Sequence, residues 1–138
     1  MSDDIFGAMT ISANGMRAQG SRIRVITENV ANSDTTGLKP GEAPYRRQTI
    51  SFKNELDKEA GLHLVKVDKI AKDKNTQFPL KFLPDHPAAN AEGYVKMPNV
   101  NSMIEMADMR EAQRSYEANL GMIEQARSML SRTIDMLR

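Results

Sequence analysis

Apolar residues recur at alternating steps of four and three along the first thirty residues, at Ile5, Met9, Ser12, Met16, Gln19, Ile23, Ile26 and Val30. Six of these eight are apolar, and the spacing is that of a coiled-coil seam. A second stripe beside it, Ala8, Ile11, Gly15 and Ala18, is mostly small and would let another backbone come close. Ser2, Asp3 and Asp4 offer a capping side chain and negative charge at the positive end of the helix dipole. The run Asn32-Ser33-Asp34-Thr35-Thr36-Gly37 is dense in turn formers and predicts the end of this helix. Residues 99–138 give the counterpart, with a seam at Met106, Met109, Gln113, Tyr116, Leu120, Ile123, Arg127, Leu130, Ile134 and Leu137. Asn101 or Ser102 can cap it, and Ser102 with Glu105 has capping-box spacing. At 1.5 Å per residue, helices of roughly 30 and 36 residues would be about 45 and 55 Å long.

Between them the period falls toward two: Ile50 and Phe52, Leu62 and Leu64, Phe78, Leu80 and Phe82, Tyr94 and Val95. Three or four short strands are predicted there. All six prolines and all nine lysines lie in residues 37–98, whereas the flanks carry eight arginines and no lysine. The expected fold is mainly α with a small β-rich insert. Long N- and C-terminal helices form an antiparallel hairpin with coiled-coil-like packing in a helical assembly. The expected segments are residues 1–36 (N-terminal helix), 37–98 (insert and loops) and 99–138 (C-terminal helix).

Assembly is expected because a two-helix hairpin buries one stripe on each helix. Ile11 and Val25 beside the first seam, and Met122, Ala126 and Met129 beside the second, would remain in water. Methionine adapts to partner surfaces, and arginine forks suit interface ion pairs. The predicted packing residues are Ile5, Met9, Met16, Ile23, Ile26, Val30, Met106, Met109, Tyr116, Leu120, Ile123, Leu130, Ile134 and Leu137.

Composition narrows the chemistry. The 138 residues contain 19 basic and 18 acidic side chains, a net charge of +1, which argues against bulk capture of nucleic acid or an acidic membrane surface. There is no cysteine, so disulfides and thiol chemistry are excluded. No apolar run approaches the ~20 residues of a membrane span, so no integral membrane protein is expected. The opening Met1-Ser2-Asp3-Asp4 lacks a basic start and an apolar run, so no cleaved signal peptide is expected.

No enzymatic constellation emerges, and no catalytic residue, cofactor or metal is expected. Gly15 to Gly20 has P-loop glycine spacing, but Ser21-Arg22 replaces the lysine and hydroxyl and no strand precedes it. His63 and His86 are 23 residues apart in irregular context, which favours chance over a metal pair. Glu105, Asp108 and Glu111 read as a solvated helix face rather than a catalytic pair. Lys66, Lys69, Lys72 and Lys74 are interleaved with Asp68 and Asp73 and read as a solvated strand edge.

Asn14-Gly15-Met16-Arg17-Ala18-Gln19 followed by Ile26-Thr27-Glu28-Asn29-Val30-Ala31-Asn32-Ser33-Asp34-Thr35-Thr36 resembles the N-terminal signature of the flagellar rod and hook axial proteins. Pro44-Tyr45-Arg46-Arg47, Asp85-His86-Pro87, Gly93-Tyr94-Val95-Lys96-Met97-Pro98-Asn99-Val100-Asn101 and Arg114-Ser115-Tyr116-Glu117-Ala118-Asn119 resemble the proximal-rod members of that family. Gln19, Asn29, Asn32, Thr35, Thr36, Tyr94, Pro98 and Asn99 are the signature positions. Glu28 departs from the family's usual small residue. The resemblance implies a structural subunit of the basal-body rod that transmits torque and forms part of the export channel wall. It implies a location in the periplasmic part of the flagellar basal body, reached by type III export. Implied partners are further copies, other rod proteins, and proteins adjoining the inner-membrane ring and export gate. Periodicity alone also fits a soluble coiled-coil adaptor that binds a partner helix.

Overall fold

A computed structural model describes residues 2–137, with side chains from Asp4 onward. The caps expected from Ser2 and Asp3, and the terminal Met1 and Arg138, lie outside the described part. The element order is α1 (Ser2–Ala31), β1 (Gln48–Asp57), β2 (Leu62–Lys72), β3 (Leu80–Phe82), β4 (Tyr94–Lys96) and α2 (Ser102–Met136). The chain is mainly helical, and its insert holds two two-stranded sheets, β1–β2 and β3–β4. β1 and β2, at 10 and 11 residues, are longer than the short strands the alternation predicts.

α1 stops at Ala31 because Asn32 closes it. The Asn32 backbone N–H and side-chain amide both donate to the Glu28 carbonyl, at 3.1 and 2.8 Å. This satisfies one of the carbonyls a helix end leaves unpaired. The only positive φ angles among the described residues are at Gly41, Gly61 and Gly93. α2 starts at an Asn101 cap, whose Oδ1 accepts from the N–H of Met103 and Ile104 at 3.1 and 3.3 Å. The Ser102–Glu105 capping box does not form, because the Glu105 carboxylate is committed elsewhere.

The chain divides into two compact units. The first combines α1 up to Ile23, residues Ile50–Lys69 and α2 from Arg110 onward. Here the helices run antiparallel: Gly15 meets Asn119, while Ile5 and Ala8 share a groove with Met122, Ala126 and Met129. A Cβ on Gly15 would stand 2.9 Å from the Asn119 Oδ1, so the bare backbone is what permits this approach. Ser12, Ala18, Ala112, Ala126 and Leu64 of β2 are buried here. Leu64 is the one large aliphatic among them, and its full burial contributes about 1.5–3 kcal/mol. The outer side of the β1–β2 hairpin is a ladder of exposed charges, Lys66–Glu55 at 2.6 Å and Lys53–Glu55 at 3.6 Å. Solvent screens such pairs, so they add little to stability.

The second unit combines Arg24–Thr49 with Ile70–Met109. β3 and β4 pair antiparallel, Leu80 opposite Lys96, Lys81 opposite Val95 and Phe82 opposite Tyr94. Val95 points inward at 1% exposure and packs in the unit that also buries Val25 and Ile26. Phe82 and Tyr94 meet edge to face at 5.3 Å on the solvent side. Gly93, at φ 84°, turns the chain into β4, and a Cβ there would lie 2.8 Å from the Phe82 ring. Phe78 falls outside β3, and its ring lies beneath the Arg46 guanidinium at 4.1 Å.

Candidate functional site

The second unit is organised by a buried polar junction. Asn29, 1% exposed, turns its side-chain amide toward the incoming strap Pro44–Gln48. Its Nδ2 donates to the Gln48 carbonyl at 2.9 Å and its Oδ1 accepts the Gln48 N–H at 2.8 Å. The side chain thus does for Gln48 what a neighbouring β-strand would do. Nδ2 also donates to Glu105 Oε2 at 3.0 Å, and Oδ1 accepts from the Tyr45 hydroxyl at 2.9 Å. Two donors and two acceptors exhaust the hydrogen-bonding capacity of an asparagine amide.

Glu105 is 1% exposed and lies at the centre of this junction. Its reading as part of a solvated face is therefore corrected. Arg47 Nε donates to its Oε1 at 2.5 Å, while Asn29 holds the other oxygen. Removing one partner of such a buried pair costs about 3–5 kcal/mol, because a charge is left unpaired. Asn99 completes the clamp: its Oδ1 accepts the Arg47 N–H at 2.8 Å. Arg46 Nη1 donates to the Asp73 carbonyl at 2.8 Å. Asp73 closes its own turn by accepting from the Thr76 hydroxyl at 2.7 Å and the Asn75 N–H at 3.0 Å. These bonds, the hydroxyl first, hold its carboxyl below the usual range. Burial pushes the Tyr45 phenol above its ordinary value. The Gln48 amide opposes that shift, and the charges of Glu28 and Glu105 reinforce it.

The junction joins the end of α1, the strap and the start of α2, and its polar atoms are consumed by one another. What it performs is mechanical: it fixes where the strap leaves the helices. Pattern reading missed Tyr45, Arg47, Gln48 and Glu105 as one cluster. Glu105 lies in a row without hydrophobic signal, and its partners Asn29 and Arg47 are 76 and 58 residues away, so periodicity does not group them.

The signature residues fall into several roles. Asn29 and Asn99 are in the junction, and Pro98 is buried beside it. Asn32 closes α1, and the Thr35 hydroxyl donates to its Oδ1 at 3.2 Å. The Thr36 hydroxyl meets His86 Nε2 at 3.3 Å. Tyr94 is 41% exposed against Phe82. Gln19 keeps a buried Oε1 that has no hydrogen-bond partner among the described residues. Glu28, the departure from the family pattern, accepts from Gln48 Nε2 at 3.0 Å.

Ile5, Met9, Met16, Ile23 and Val30 are half-buried on α1, and Ile26 is buried. On α2, Met109, Tyr116, Ile123 and Leu130 are half-buried, whereas Met106, Leu120, Ile134 and Leu137 are exposed. The buried row of α2 is Glu105, Ala112 and Ala126, with Asn119 half-buried between them, one residue before the row of Met106, Gln113, Leu120 and Arg127. Met103, Ile104, Met122, Met129 and Met136 are exposed too; Met122, Met129 and Met136 each follow the row of Leu120 and Ile134 by two residues and so lie on the opposite side of the helix. In the first unit, Ile5, Ala8, Met122, Ala126, Met129 and Met136 line an apolar groove of about 760 Å³. His63 is exposed in the first unit and His86 half-buried in the second. Among the described residues no group of three histidines or carboxylates could hold a metal ion, and no helix is long and apolar enough to cross a membrane.

Two long terminal helices flank a strand-rich insert, and the signature residues Asn29 and Asn99 are built into the junction, the arrangement expected of a flagellar axial protein of the rod type. The model described as flagella basal body rod protein matches residues 9–39, and that described as flagellar basal body rod FlgEFG protein C-terminal matches residues 91–136. The chain is 48% identical over 136 residues to the flagellar basal-body rod protein FlgC of Agrobacterium fabrum, covering 99% of this chain and 97% of that one. It is 36% identical to the Bacillus subtilis FlgC over 146 aligned positions, covering 95% and 97%. With the Salmonella typhimurium FlgC it shares 35% identity over 128 residues, covering 91% and 92%. The chain belongs to the FlgC family of flagellar basal-body rod proteins.

Proposed function

We propose that this chain is a structural subunit of the flagellar basal-body rod. Its helices pack with further copies and other rod proteins into a helical tube, transmit torque along it and form part of the export channel wall. It works in the periplasmic part of the basal body, arrives by type III export, and adjoins the inner-membrane ring and export gate. The observation that supports this reading, besides family membership, is the row of large apolar side chains on α2 that the chain leaves in water: Met106 at 51%, Leu120 at 39% and Ile134 at 53% exposure. Large apolar side chains that recur on one helix face, here with Gln113 and Arg127 between them, mark a surface meant to be covered. Ile26, Met109, Tyr116, Ile123 and Leu130 serve the chain's own packing, while Met106, Leu120, Ile134 and Leu137 meet neighbours. The terminal helices, residues 1–36 and 99–138, make the rod wall, and residues 37–98 lie outside it. Electron microscopy of basal bodies from a strain lacking the gene tests the proposal. Loss of the rod is expected, intact rods would end it, and a single copy per native complex would favour an adaptor instead.

A further inference from the structure

His86 is held at both ring nitrogens. Its Nδ1 accepts the N–H of Ala88 at 3.1 Å. Its Nε2 meets the Thr36 hydroxyl at 3.3 Å. A nitrogen that accepts carries no proton, so the geometry requires the neutral tautomer with its hydrogen on Nε2, donating to Thr36. The backbone around the ring forms two tight turns, with the His86 N–H on the Leu83 carbonyl at 3.1 Å and the Ala89 N–H on the His86 carbonyl at 2.9 Å. The ring therefore ties the loop that follows α1 to the turn that precedes β4, two segments 50 residues apart in the chain.

We propose that His86 is a proton-operated latch between these two segments. A proton taken from water binds at Nδ1 and points at the N–H of Ala88. Two donors then face each other where a hydrogen bond was. Turning the ring to relieve this breaks the Thr36 contact, and keeping the Thr36 contact opens the turn at Ala88. Either way one of the two ties is lost on protonation. Imidazole is the side chain whose charge ordinarily changes in mildly acid water. The charged groups on the surrounding segments are Asp34, Lys39 and Glu42 on the loop, Asp85 in the turn, Lys81 of β3, Glu92 before β4 and Lys96 of β4. Glu42 and Lys96 line a cavity of about 240 Å³ with Ala88. Glu42 Oε2 is already occupied by the N–H groups of Leu38 and Lys39 at 2.8 and 3.2 Å. None of these is a hydrogen-bond partner of the ring, so protonation gains no bond in exchange for the one it breaks.

The test uses the full chain. Nitrogen-15 NMR of the imidazole at pH 8 is expected to show hydrogen on Nε2 and none on Nδ1. Hydrogen exchange, corrected for intrinsic rates, is expected to show the Ala88 amide losing protection between pH 8 and pH 5 by roughly fivefold to tenfold, the worth of one hydrogen bond. The Met97 amide, bonded to the Pro79 carbonyl at 2.8 Å in the same unit, serves as reference and should hold. His86→Asn supplies an acceptor that does not titrate and reaches the same N–H two residues on. Its Ala88 amide should be equally protected at both pH values. A hydrogen on Nδ1 at pH 8, unchanged Ala88 protection in the natural protein, or pH dependence surviving in the asparagine variant would each overturn the latch. Should the variant not fold, the two measurements on the natural protein decide alone.

Discussion

Asn29→Asp is the sharpest probe of the buried junction, because it changes chemistry at constant shape. The amide nitrogen that donates to Gln48 O and to Glu105 Oε2 becomes an oxygen. Losing the first bond leaves a buried carbonyl unpaired, at about 1–3 kcal/mol. The second loss is worse, since two carboxylates would stand near 3.0 Å apart in a site of 1% exposure. At an effective dielectric of about 20, that repulsion is about 5 kcal/mol. The variant can escape by taking up a proton. At pH 7 the price is capped near 4 kcal/mol, about three pH units above an ordinary carboxyl at about 1.4 kcal/mol each. The expected total is roughly 5 kcal/mol at pH 7.

The sign of the pH dependence is the discriminating part. In the variant the shared carboxyl pair has a folded-state pKa raised above its unfolded value. Stability relative to the natural protein is then fully present below the unfolded pKa and lost as pH rises through the folded one. Lowering pH from 7 toward 4 should recover about 1.4 kcal/mol per unit. The captured proton then bridges the two carboxyls and leaves only the Gln48 bond missing. Asn29→Ala, which introduces no charge, should be destabilised without that recovery. Urea unfolding followed by circular dichroism at several pH values measures all three proteins. A loss under about 1 kcal/mol at pH 7, or a flat difference from the natural protein between pH 5 and 7, would refute the reading of Asn29 and Glu105 as one buried pair.

Tyr45→Phe removes the hydroxyl that donates to Asn29 and should cost about 1 kcal/mol in urea unfolding. Because the Tyr45 pKa is raised, its contribution is complete below the unfolded value and disappears as pH rises through the folded one. The natural protein should therefore lose an alkaline component of stability that the phenylalanine variant lacks, read by unfolding between pH 9 and 11. Gly15→Ala gains about 1 kcal/mol of helix propensity but pushes its Cβ to 2.9 Å from Asn119, so the net change should be small. Pairing it with Asn119→Ala should release the propensity gain, and the sum of the single changes is expected to fall short of the double by more than 0.5 kcal/mol. Leu120→Asp should leave monomer stability within about 1 kcal/mol, since the side chain is 39% exposed, and yet abolish incorporation into basal bodies. Lys72→Asp, on the exposed end of β2, should assemble normally.

What the pattern of residues reveals about this chain depends on which contact put each residue there. On α1 the row from Ile5 to Val30 is half-buried, with Ser12 and Ile26 fully buried. On α2 the row read from hydrophobicity alternates between two destinations. Met109, Tyr116, Ile123 and Leu130 face inward or sideways, whereas Met106 and Leu120 point into water. The inner row one residue earlier is Glu105, Ala112, Asn119 and Ala126, which are small or polar and carry no hydrophobic signal. Close approach explains the small residues: Gly15 against Asn119 requires a contact no large aliphatic could fill. Electrostatics explains Glu105, whose burial is legible only once Arg47 and Asn29, 58 and 76 residues away, are seen to converge on it. Hydrophobic periodicity finds surfaces that some partner covers and does not say which partner. In a chain whose helices carry two apolar faces, the loudest pattern belongs to the face that the chain itself leaves open, and the intrachain fit is written in glycine, alanine and paired charges instead.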